Sequence, residues 1–432
     1  MHFENIKKVL RSIQKKLAEL SKEIFRSIAF YPILISFFFC VIAVVTLHIE
    51  HIEIISELKE KASFLVVRDI DTAKTILSTL VGGVLSLTVF SFSMVMVVLN
   101  QASSNFSPRL LPGLISDKKH QIILGFYTGT ILYTILILMS LGSYGPSEGY
   151  SGFSTILAAI FGIICISLFV YFIHNISSAI QIDTIINKIF KQSNESLKHK
   201  IKNQERCDLN TADWKVIYSE QSGYYQGIYI SFISDYFKQQ ENFIEVIPYQ
   251  SQYIWKGSPL LKIKEDIPAD ELNSLLKSIS FSQDKHKNSG YLSGMLKLTE
   301  VAVRAMSPGI NDPGTTTDVI TKLGQLLSKA SQIYPRTSKK YSDNKIILIE
   351  NMITSAELMR VLIQPIRYYG KNDAVVMFEL VSALHYVSKN SRIISSNKND
   401  ILAELQSLGK SVKNNIKNEK DTHPILEIVN KQ

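Results

Sequence analysis

Long uncharged stretches dominate the first part of the chain. No Asp, Glu, Lys or Arg occurs from Thr75 to Pro108, from Ile122 to Ser147, or from Gly149 to Ile182. A bilayer core requires about 20 predominantly apolar residues for each helical span, and soluble proteins rarely contain several such runs. We therefore predict a membrane α-helical protein with four transmembrane helices, which excludes an ordinary soluble enzyme. The predicted spans are Ile28–Leu47, Ile76–Leu99, Ile122–Leu141 and Phe153–Ile173.

The charges that flank these spans alternate in sign along the chain. Lys and Arg predominate before the first span, whereas six acids face four bases between the first and second spans. Arg109, Lys118 and Lys119 exceed Asp117 in the next connection, and the one after it contains only Glu148. Lysines return after the fourth span. Because short cytosolic segments are enriched in Lys and Arg, we predict that both termini are cytosolic.

Two segments next to the first span have amphipathic patterns. Residues 1–27 carry apolar side chains at alternating spacings of three and four, which predicts a basic amphipathic helix on the inner leaflet or in a helical bundle. Residues 49–74 are acidic and amphipathic, which predicts an external helical excursion. His48 and His51 are one turn apart, but no third ligand accompanies them at a fixed spacing, so we expect no metal site.

Composition adds three constraints. Hydrophobic residues make up 46% of the chain, charged residues 20%, and the net charge is +9. Because the basic residues cluster beside the apolar runs, membrane orientation explains them and we expect no nucleic-acid partner. Cys40, Cys165 and Cys207 are too few and too scattered for a disulfide framework. We also expect no cofactor.

The spans themselves have no charged side chain in their interior. Intramembrane carboxylates and histidines usually mark proton relays and ion-coupled transport, because their high cost must be justified by function. Their absence from the sequence of the four spans argues against a carboxylate-driven pump. Backbone carbonyls or hydroxyl groups remain as the groups that would line a path.

Small and hydroxyl-bearing residues are concentrated in the second span. Ser78, Gly82 and Ser86 are spaced four apart, and Thr79, Gly83 and Ser91 run alongside. Thr88 and Ser93 follow, and then a polar stretch from Asn100 to Asn105. Small residues at this spacing allow helix backbones to approach closely. Two interpretations stay open: tight helix packing, or a hydroxyl-lined pore formed when several subunits bring this helix to a common axis. The seven candidate residues are Ser78, Thr79, Gly82, Gly83, Ser86, Ser93 and Asn100.

The chain from about Gln181 onward has the character of a soluble α+β region. We divide it into a connecting helix and small β-module (residues 175–265) and a helical domain (residues 266–432), both cytosolic. Alternating or continuous apolar runs predict four or more short strands between Ser222 and Ile263. The predicted helices are Pro268–Ser280, Tyr291–Ala305, Thr315–Ala330, Ala356–Tyr369, Asp373–Ser388 and Ile401–Asn415, which form a helical C-terminal layer.

A proline- and glycine-rich turn separates two of these helices. We expect Asp312 to cap the second helix with Pro313 in its first turn, and Gly309 to adopt a left-handed conformation. An Arg304–Asp pair holding the turn, a ligand or subunit contact, and catalysis are the three interpretations. No nucleophile–histidine pair or phosphate-binding glycine pattern is present, so we expect no enzyme. The candidate residues are Arg304, Ser307, Pro308, Gly309, Asn311, Asp312 and Pro313.

The stretch Arg304–Pro313 resembles the signature of the bacterial membrane-protein family catalogued as domain of unknown function 2254. Residues 101–104, 106–109, 171–174, 181–183, 222–224 and 366–370 agree with the same family in order. The resemblance spans roughly residues 30 to 390, although Gly314-Thr315-Thr316 stands where the family usually has an aromatic residue, threonine and alanine. It implies this architecture and a location in the bacterial inner (plasma) membrane, and it implies no reaction.

Two functional hypotheses from different classes follow. The first is a homo-oligomeric channel or gated pore, with the second span along the path and the cytosolic region as gate or sensor. The second is a non-transporting scaffold or signalling protein of the envelope. Both have the lipid bilayer as a partner, and the small molecule or ion that either would bind is unknown.

The predicted topology can be tested by cysteine labelling. In a variant without the native cysteines, single cysteines at Glu57 and Glu300 should differ in their access to an impermeant thiol reagent in intact cells. Only Glu57→Cys should react, because only that segment is predicted to be external. Labelling of Glu300→Cys in intact cells would overturn the orientation.

Overall fold

The structure is a computed structural model that describes residues 29–49, 67, 69–105, 118–143, 152–179, 181–229, 241–285, 290–341 and 346–431. These residues fall into two compact units, with the main division between Gln181 and Ile182. We call them the span unit and the α+β unit. The predicted N-terminal amphipathic helix (residues 1–27) and most of the predicted excursion (residues 49–74) lie outside the described residues.

The span unit contains four helices that are long and apolar enough to cross a membrane. They are α1 (Phe30–Ile49), α2 (Ile70–Asn105), α3 (Lys118–Ser143) and α4 (Gly152–Ala179). All four predicted spans are confirmed as apolar helices. The second helix begins earlier than its predicted span, because the Asp69 carboxylate accepts hydrogen bonds from the Thr72 backbone N–H (2.8 Å) and hydroxyl. Residues 70–74 therefore belong to α2 and not to the excursion.

Helix α3 is the most buried of the four spans within this unit. Two of its glycines, four residues apart, face α1: a Cβ built on Gly125 would lie 3.0 Å from the Pro32 Cα, and one on Gly129 would lie 2.7 Å from the Phe39 ring. Small residues at this spacing let two membrane helices approach closely. The contact between α1 and α3 thus depends on the absence of side chains at these two positions.

Hydroxyl groups join the helices inside the same unit. The Ser36 and Thr128 hydroxyls lie 2.8 Å apart between α1 and α3. The Tyr133 hydroxyl donates to the Ser154 carbonyl of α4 at 3.2 Å and lies 3.3 Å from the Thr46 hydroxyl of α1. Because an apolar interior offers no water, such bonds satisfy polar side chains that the packing has buried.

Two sheets lie at the centre of the α+β unit. The larger is mixed and has the strand order β1-β8-β9-β4-β6-β2, and the smaller has the order β5-β3-β7. Apolar side chains of both sheets share one core with the short helix that precedes β7. The strands are β1 (Glu205–Arg206), β2 (Lys215–Tyr218), β3 (Gly223–Ile228), β4 (Asn242–Val246), β5 (Tyr253–Ile254), β6 (Pro259–Ile263), β7 (Ile279–Ser282), β8 (Arg336–Tyr341) and β9 (Ile346–Asn351).

The four predicted strands are present as β3 to β6, but the two sheets also contain strands that the sequence did not predict. Strand β9 pairs in parallel with β4, so that Asn242 lies opposite Ile346 and Val246 opposite Glu350. The six-stranded sheet therefore crosses the predicted boundary at residue 265. The sequence of β8, Arg-Thr-Ser-Lys-Lys-Tyr, has no apolar alternation that would have predicted a strand.

Helices account for most of the remaining α+β unit, and the predicted helical C-terminal layer is confirmed. The predicted helix Ala356–Tyr369 contains a π-helical segment at Met359–Ile363. A final helix that the sequence did not predict begins after Asn418, whose side chain accepts a hydrogen bond from the Lys420 N–H. The helices are α5 (Ile182–Lys202), α6 (Ala269–Ser278), α7 (Tyr291–Ala305), α8 (Pro313–Ala330), α9 (Ser355–Leu358), α10 (Gln364–Gly370), α11 (Ala374–Ser388), α12 (Ser395–Asn415) and α13 (Glu419–Asn430).

The packing of α1 on α3 predicts that Gly129→Ala destabilises the span unit. The added methyl group would overlap the Phe39 ring, and such overpacking typically costs about 1–3 kcal/mol. The apparent melting temperature of the purified protein should fall, and the second change Phe39→Leu should recover part of the loss. An unchanged melting temperature in Gly129→Ala would contradict this description of the interface.

Candidate pore helix and signature turn

The candidate residues of the second span are all found on the exposed surface of α2 within the described subunit. The residues of α2 that are buried form a different stripe, with Leu77, Val84, Ser91 and Val98 spaced seven apart and fully or almost fully covered. Leu77, Val84 and Val98 pack in two apolar clusters with residues of α1, α3 and α4. The exposed candidates are Ser78, Thr79, Gly82, Gly83, Ser86, Ser93 and Asn100.

Helical geometry places most of these candidates opposite the buried stripe. At about 100° per residue, Thr79, Gly82, Ser86, Ser93 and Asn100 centre roughly 165° around the axis from the buried side chains. Gly83 and Ser78 flank this face on either side. Thr75, which lies four residues before Thr79 and is exposed, extends the face by one turn, although no sequence pattern singles it out. One face of α2 thus packs inside the subunit, and the opposite face carries small and hydroxyl-bearing residues together with the exposed side chains of Val89 and Val97.

The hydroxyl groups on this face are bonded to their own helix. The Thr79 hydroxyl donates to the Thr75 carbonyl at 2.8 Å, and the Ser86 hydroxyl donates to the Gly82 carbonyl at 2.9 Å. Such bonds to the preceding turn satisfy the donor and leave the oxygen lone pairs able to accept. The exposed face therefore presents neutral acceptors and no charge.

The glycines of α2 differ from those of α3 in what surrounds them. A Cβ built on Gly82 or Gly83 would meet nothing within 4 Å. The described part of the subunit therefore does not use these glycines for close packing. They leave a shallow strip of exposed backbone on the surface of α2, which a second helix can approach.

The signature turn lies at the surface between α7 and α8. Asp312 caps α8, as predicted, because its carboxylate accepts from the Thr315 backbone N–H at 3.0 Å and from the Thr315 hydroxyl at 2.6 Å. The Asp312 N–H donates to the Ala305 carbonyl at 2.8 Å, and the Thr316 hydroxyl donates to the Ala302 carbonyl at 3.2 Å. Thr316 therefore links the two helices, whereas Thr315 completes the cap of α8.

One expectation about this turn is wrong. Gly309 does not have a positive φ; Asn311 takes the left-handed position with φ 47°, which asparagine tolerates better than most residues. The Asp312 carboxylate is exposed and accepts its hydrogen bonds from Thr315. These Thr315 bonds hold the pKa of Asp312 below its ordinary value.

The described turn does not assemble a reactive constellation. Ser307 and Pro313 are half-buried, whereas Pro308, Gly309, Asn311 and Asp312 are exposed. Within the described ranges, no cluster of three His, Cys, Asp or Glu side chains has a geometry that would hold a metal ion. The geometry of the turn thus accounts for a helix connection, and it supplies no nucleophile or acid–base pair.

This geometry predicts opposite outcomes for two substitutions in the turn. Asp312→Ala should lower the stability of the α+β unit by about 0.5–2 kcal/mol, the usual cost of losing an N-cap. Gly309→Ala is the matched control and should have no effect, since its φ is ordinary and its surroundings are open. Thermal unfolding measures both.

The pH dependence of the same pair provides a further check. Because the folded state lowers the pKa of Asp312, the capping contribution is complete above the ordinary pKa of aspartate. It is lost as pH falls through the lowered folded value. The difference between wild type and Asp312→Ala should therefore shrink on acidification, and a difference that grows would contradict the cap.

Comparisons with known proteins place the chain in a family. Two uncharacterized proteins, from Mycobacterium tuberculosis and Mycobacterium bovis, are each 23% identical to it over 327 residues, or 72% of this chain. The chain spans 61% of the length of these relatives. No solved structure matches it. The family described as "Predicted membrane protein (DUF2254)" matches residues 26–386, which confirms the resemblance, and the chain belongs to that family.

Proposed function

We propose that this membrane protein is a homo-oligomeric, channel-like pore in which α2 of each subunit lines a path along a common axis. The observation that carries the proposal is the exposed, uncharged face of α2, which lies opposite the face that packs inside the subunit. Lipid-facing helix surfaces are ordinarily covered by large apolar side chains, whereas small residues mark contacts between membrane helices.

The spacing of this face suits contact between copies of the same helix. Thr75, Thr79, Gly82, Ser86 and Ser93 follow one another at intervals of four, three, four and seven residues. A repeat of this kind keeps one stripe facing a neighbour when helices cross at a shallow left-handed angle. Homo-oligomers with closed symmetry then bring the same stripe of every subunit to one axis.

The chemistry of the stripe favours a neutral and weakly selective path. Hydroxyl oxygens can replace part of the hydration shell of an ion without trapping it as a carboxylate would. Asn100 continues the stripe towards the end of α2, where Gln101 to Asn105 add further polar residues. The proposed orientation puts this polar end, both termini and the α+β unit in the cytosol, with the protein in the bacterial inner membrane. The α+β unit then acts as the regulatory part.

A scaffold or signalling protein without transport is the alternative. It is favoured by Gly82 and Gly83, because two adjacent glycines with open surroundings also suit tight helix packing that leaves no path. The two functions share the same interface. They differ in whether a water-filled path runs along the common axis.

A pair of matched substitutions distinguishes them. Ser86 in α2 and Ser167 in α4 are both exposed, and both hydroxyls donate to the carbonyl one turn earlier, at 2.9 and 3.1 Å. Ser86→Leu should lower the single-channel conductance of the purified protein in planar bilayers, because the leucine would narrow the path. Ser167→Leu, the same change on another span, should leave the conductance unchanged.

Three outcomes decide the proposal. A reduced conductance in Ser86→Leu with a normal Ser167→Leu supports the pore. No conductance in wild type, under voltage, tension or added ligand, favours the scaffold. In that case Ser86→Leu and Gly83→Leu should weaken the oligomer in detergent, measured by its mass, since close backbone approach is lost.

A further inference from the structure

The α+β unit contains a cavity of about 270 Å³ that no part of the proposed pore uses. Its walls come from the last turns of α5, strand β3, the loop after β4, the start of α7, and the ends of β8 and β9. All of its lining residues lie in the described part of the chain. The volume is near the lower end of the range of ligand pockets, about 300–1,000 Å³, and suits a small metabolite.

Positive charge predominates on one wall of this cavity. The Nζ atoms of Lys200 and Lys339 lie 3.1 and 2.9 Å from the Glu350 carboxylate. Burial alone would raise the pKa of Glu350, but the two lysines outweigh it and hold the pKa below its ordinary value. Two ammonium groups around one ionised carboxylate leave a formal charge of +1 at this wall, which favours an anion.

The start of α7 adds hydrogen-bond donors to the same cavity. The N-cap residue is Gly290, which offers no side chain to cap the helix, and the Tyr291 N–H donates to the Ser196 hydroxyl at 3.2 Å. The first backbone N–H groups of a helix have no acceptor inside the helix and carry partial positive charge. Helix N-termini are therefore common binding sites for phosphate and other anions.

The Ser293 hydroxyl is the observation that points to a ligand. Ser293 lies in the first turn of α7, lines the cavity and is only 3% exposed. In the described structure its Oγ atom is buried and has no hydrogen-bond partner. Buried hydroxyl groups are almost always bonded, so the Ser293 hydroxyl remains available to donate a hydrogen bond to a ligand.

Apolar side chains also line the cavity, and one of its loops is held in place. Tyr225, Val246 and Ile353 are buried and line the cavity. The loop after β4 carries Ser251 at φ 70°, and the Ser251 N–H donates to the Tyr225 carbonyl at 2.8 Å. A ligand with one charged end and one ring-bearing or apolar end would match both the charged and the apolar lining residues.

We infer that this cavity binds a small phosphorylated metabolite of the phosphomonoester class. The phosphate would lie between Lys200, Lys339 and the first turn of α7, and accept a hydrogen bond from Ser293. The lining offers lysines and helix N–H groups, which suit phosphate, and a carboxylate ligand is the alternative that the binding test must separate from it. The inference does not depend on whether α2 forms a pore.

The binding test uses the full-length protein in nanodiscs and isothermal titration calorimetry. Inorganic phosphate, ribose 5-phosphate and AMP are the probes. Adenosine is the control that lacks the phosphate, and succinate is the carboxylate control. Saturable binding of the phosphorylated probes, tighter than that of inorganic phosphate and not shared by either control, is the expected result.

Variants then locate the site. Ser293→Ala should weaken binding of AMP about three- to tenfold, the usual effect of one lost hydrogen bond. It should not lower the melting temperature of the ligand-free protein, since the hydroxyl has no partner there. A merely structural Ser293 would show the reverse pattern.

A charge variant with a matched control completes the test. Lys339→Met should also weaken AMP binding, while Lys200 remains on Glu350 to preserve the fold. Lys198→Met removes an exposed lysine of the same unit that pairs with Glu195, and should bind AMP as wild type does.

Three results would overturn the inference. One is the failure of all three phosphate probes to bind at concentrations up to about 10 mM. Another is equal binding of succinate, which would reject the phosphate class. The third is unchanged affinity in both Ser293→Ala and Lys339→Met, which would remove the site from this cavity. None of these results depends on a conductance measurement.

Discussion

Close approach of helix backbones in an apolar medium is the constraint on which the span unit depends. Lipid tails are as apolar as leucine, so apolar burial does not hold membrane helices together, and contact through small residues and hydroxyls does. Helix α3 meets this constraint toward α1 with Gly125 and Gly129, whose missing side chains make room for Pro32 and Phe39. Helix α2 packs inside the subunit through branched side chains such as Leu77 and Val84, so its glycines are left on the outside.

The sequence predicts most of this architecture where one local signal decides the structure. Uncharged runs identify the four spans, and the Asp-Pro pair at residues 312 and 313 identifies the start of α8. Prediction from the sequence fails where a segment far away in the chain determines the local structure. Strand β8 is polar and basic, and only its antiparallel pairing with β9 and β1 makes it a strand. The parallel pairing of β4 with β9 joins segments that are far apart in the sequence, and no local pattern reveals it.

The candidate site shows the same limit at the level of single residues. Ser91 and Ser93 are both serines of α2, two positions apart, yet Ser91 is fully buried and Ser93 is exposed. Composition selects both, and only the packing of α2 against the other helices separates them. In the turn, the left-handed position falls on Asn311 instead of Gly309, because the Asp312 N–H must reach the Ala305 carbonyl while Asp312 caps α8. A glycine marks a position where a positive φ costs little energy, but the path of the chain determines which residue must adopt a positive φ.

The charged groups at the cavity of the α+β unit are poorly explained by stability. The three side chains are only partly buried, and ion pairs at such sites contribute little to stability, because solvent screening and desolvation offset the attraction of the charges. Ile349 and Leu348 beside Glu350 show that β9 accommodates apolar side chains. The cluster of Lys200, Lys339 and Glu350 therefore adds little that an apolar cluster could not supply to the fold. The cluster lies at the same cavity as the N-terminus of α7 and the buried Ser293 hydroxyl. Anion binding accounts for this placement, since the lysines, the helix N-terminus and the hydroxyl would all stabilise the same bound anion.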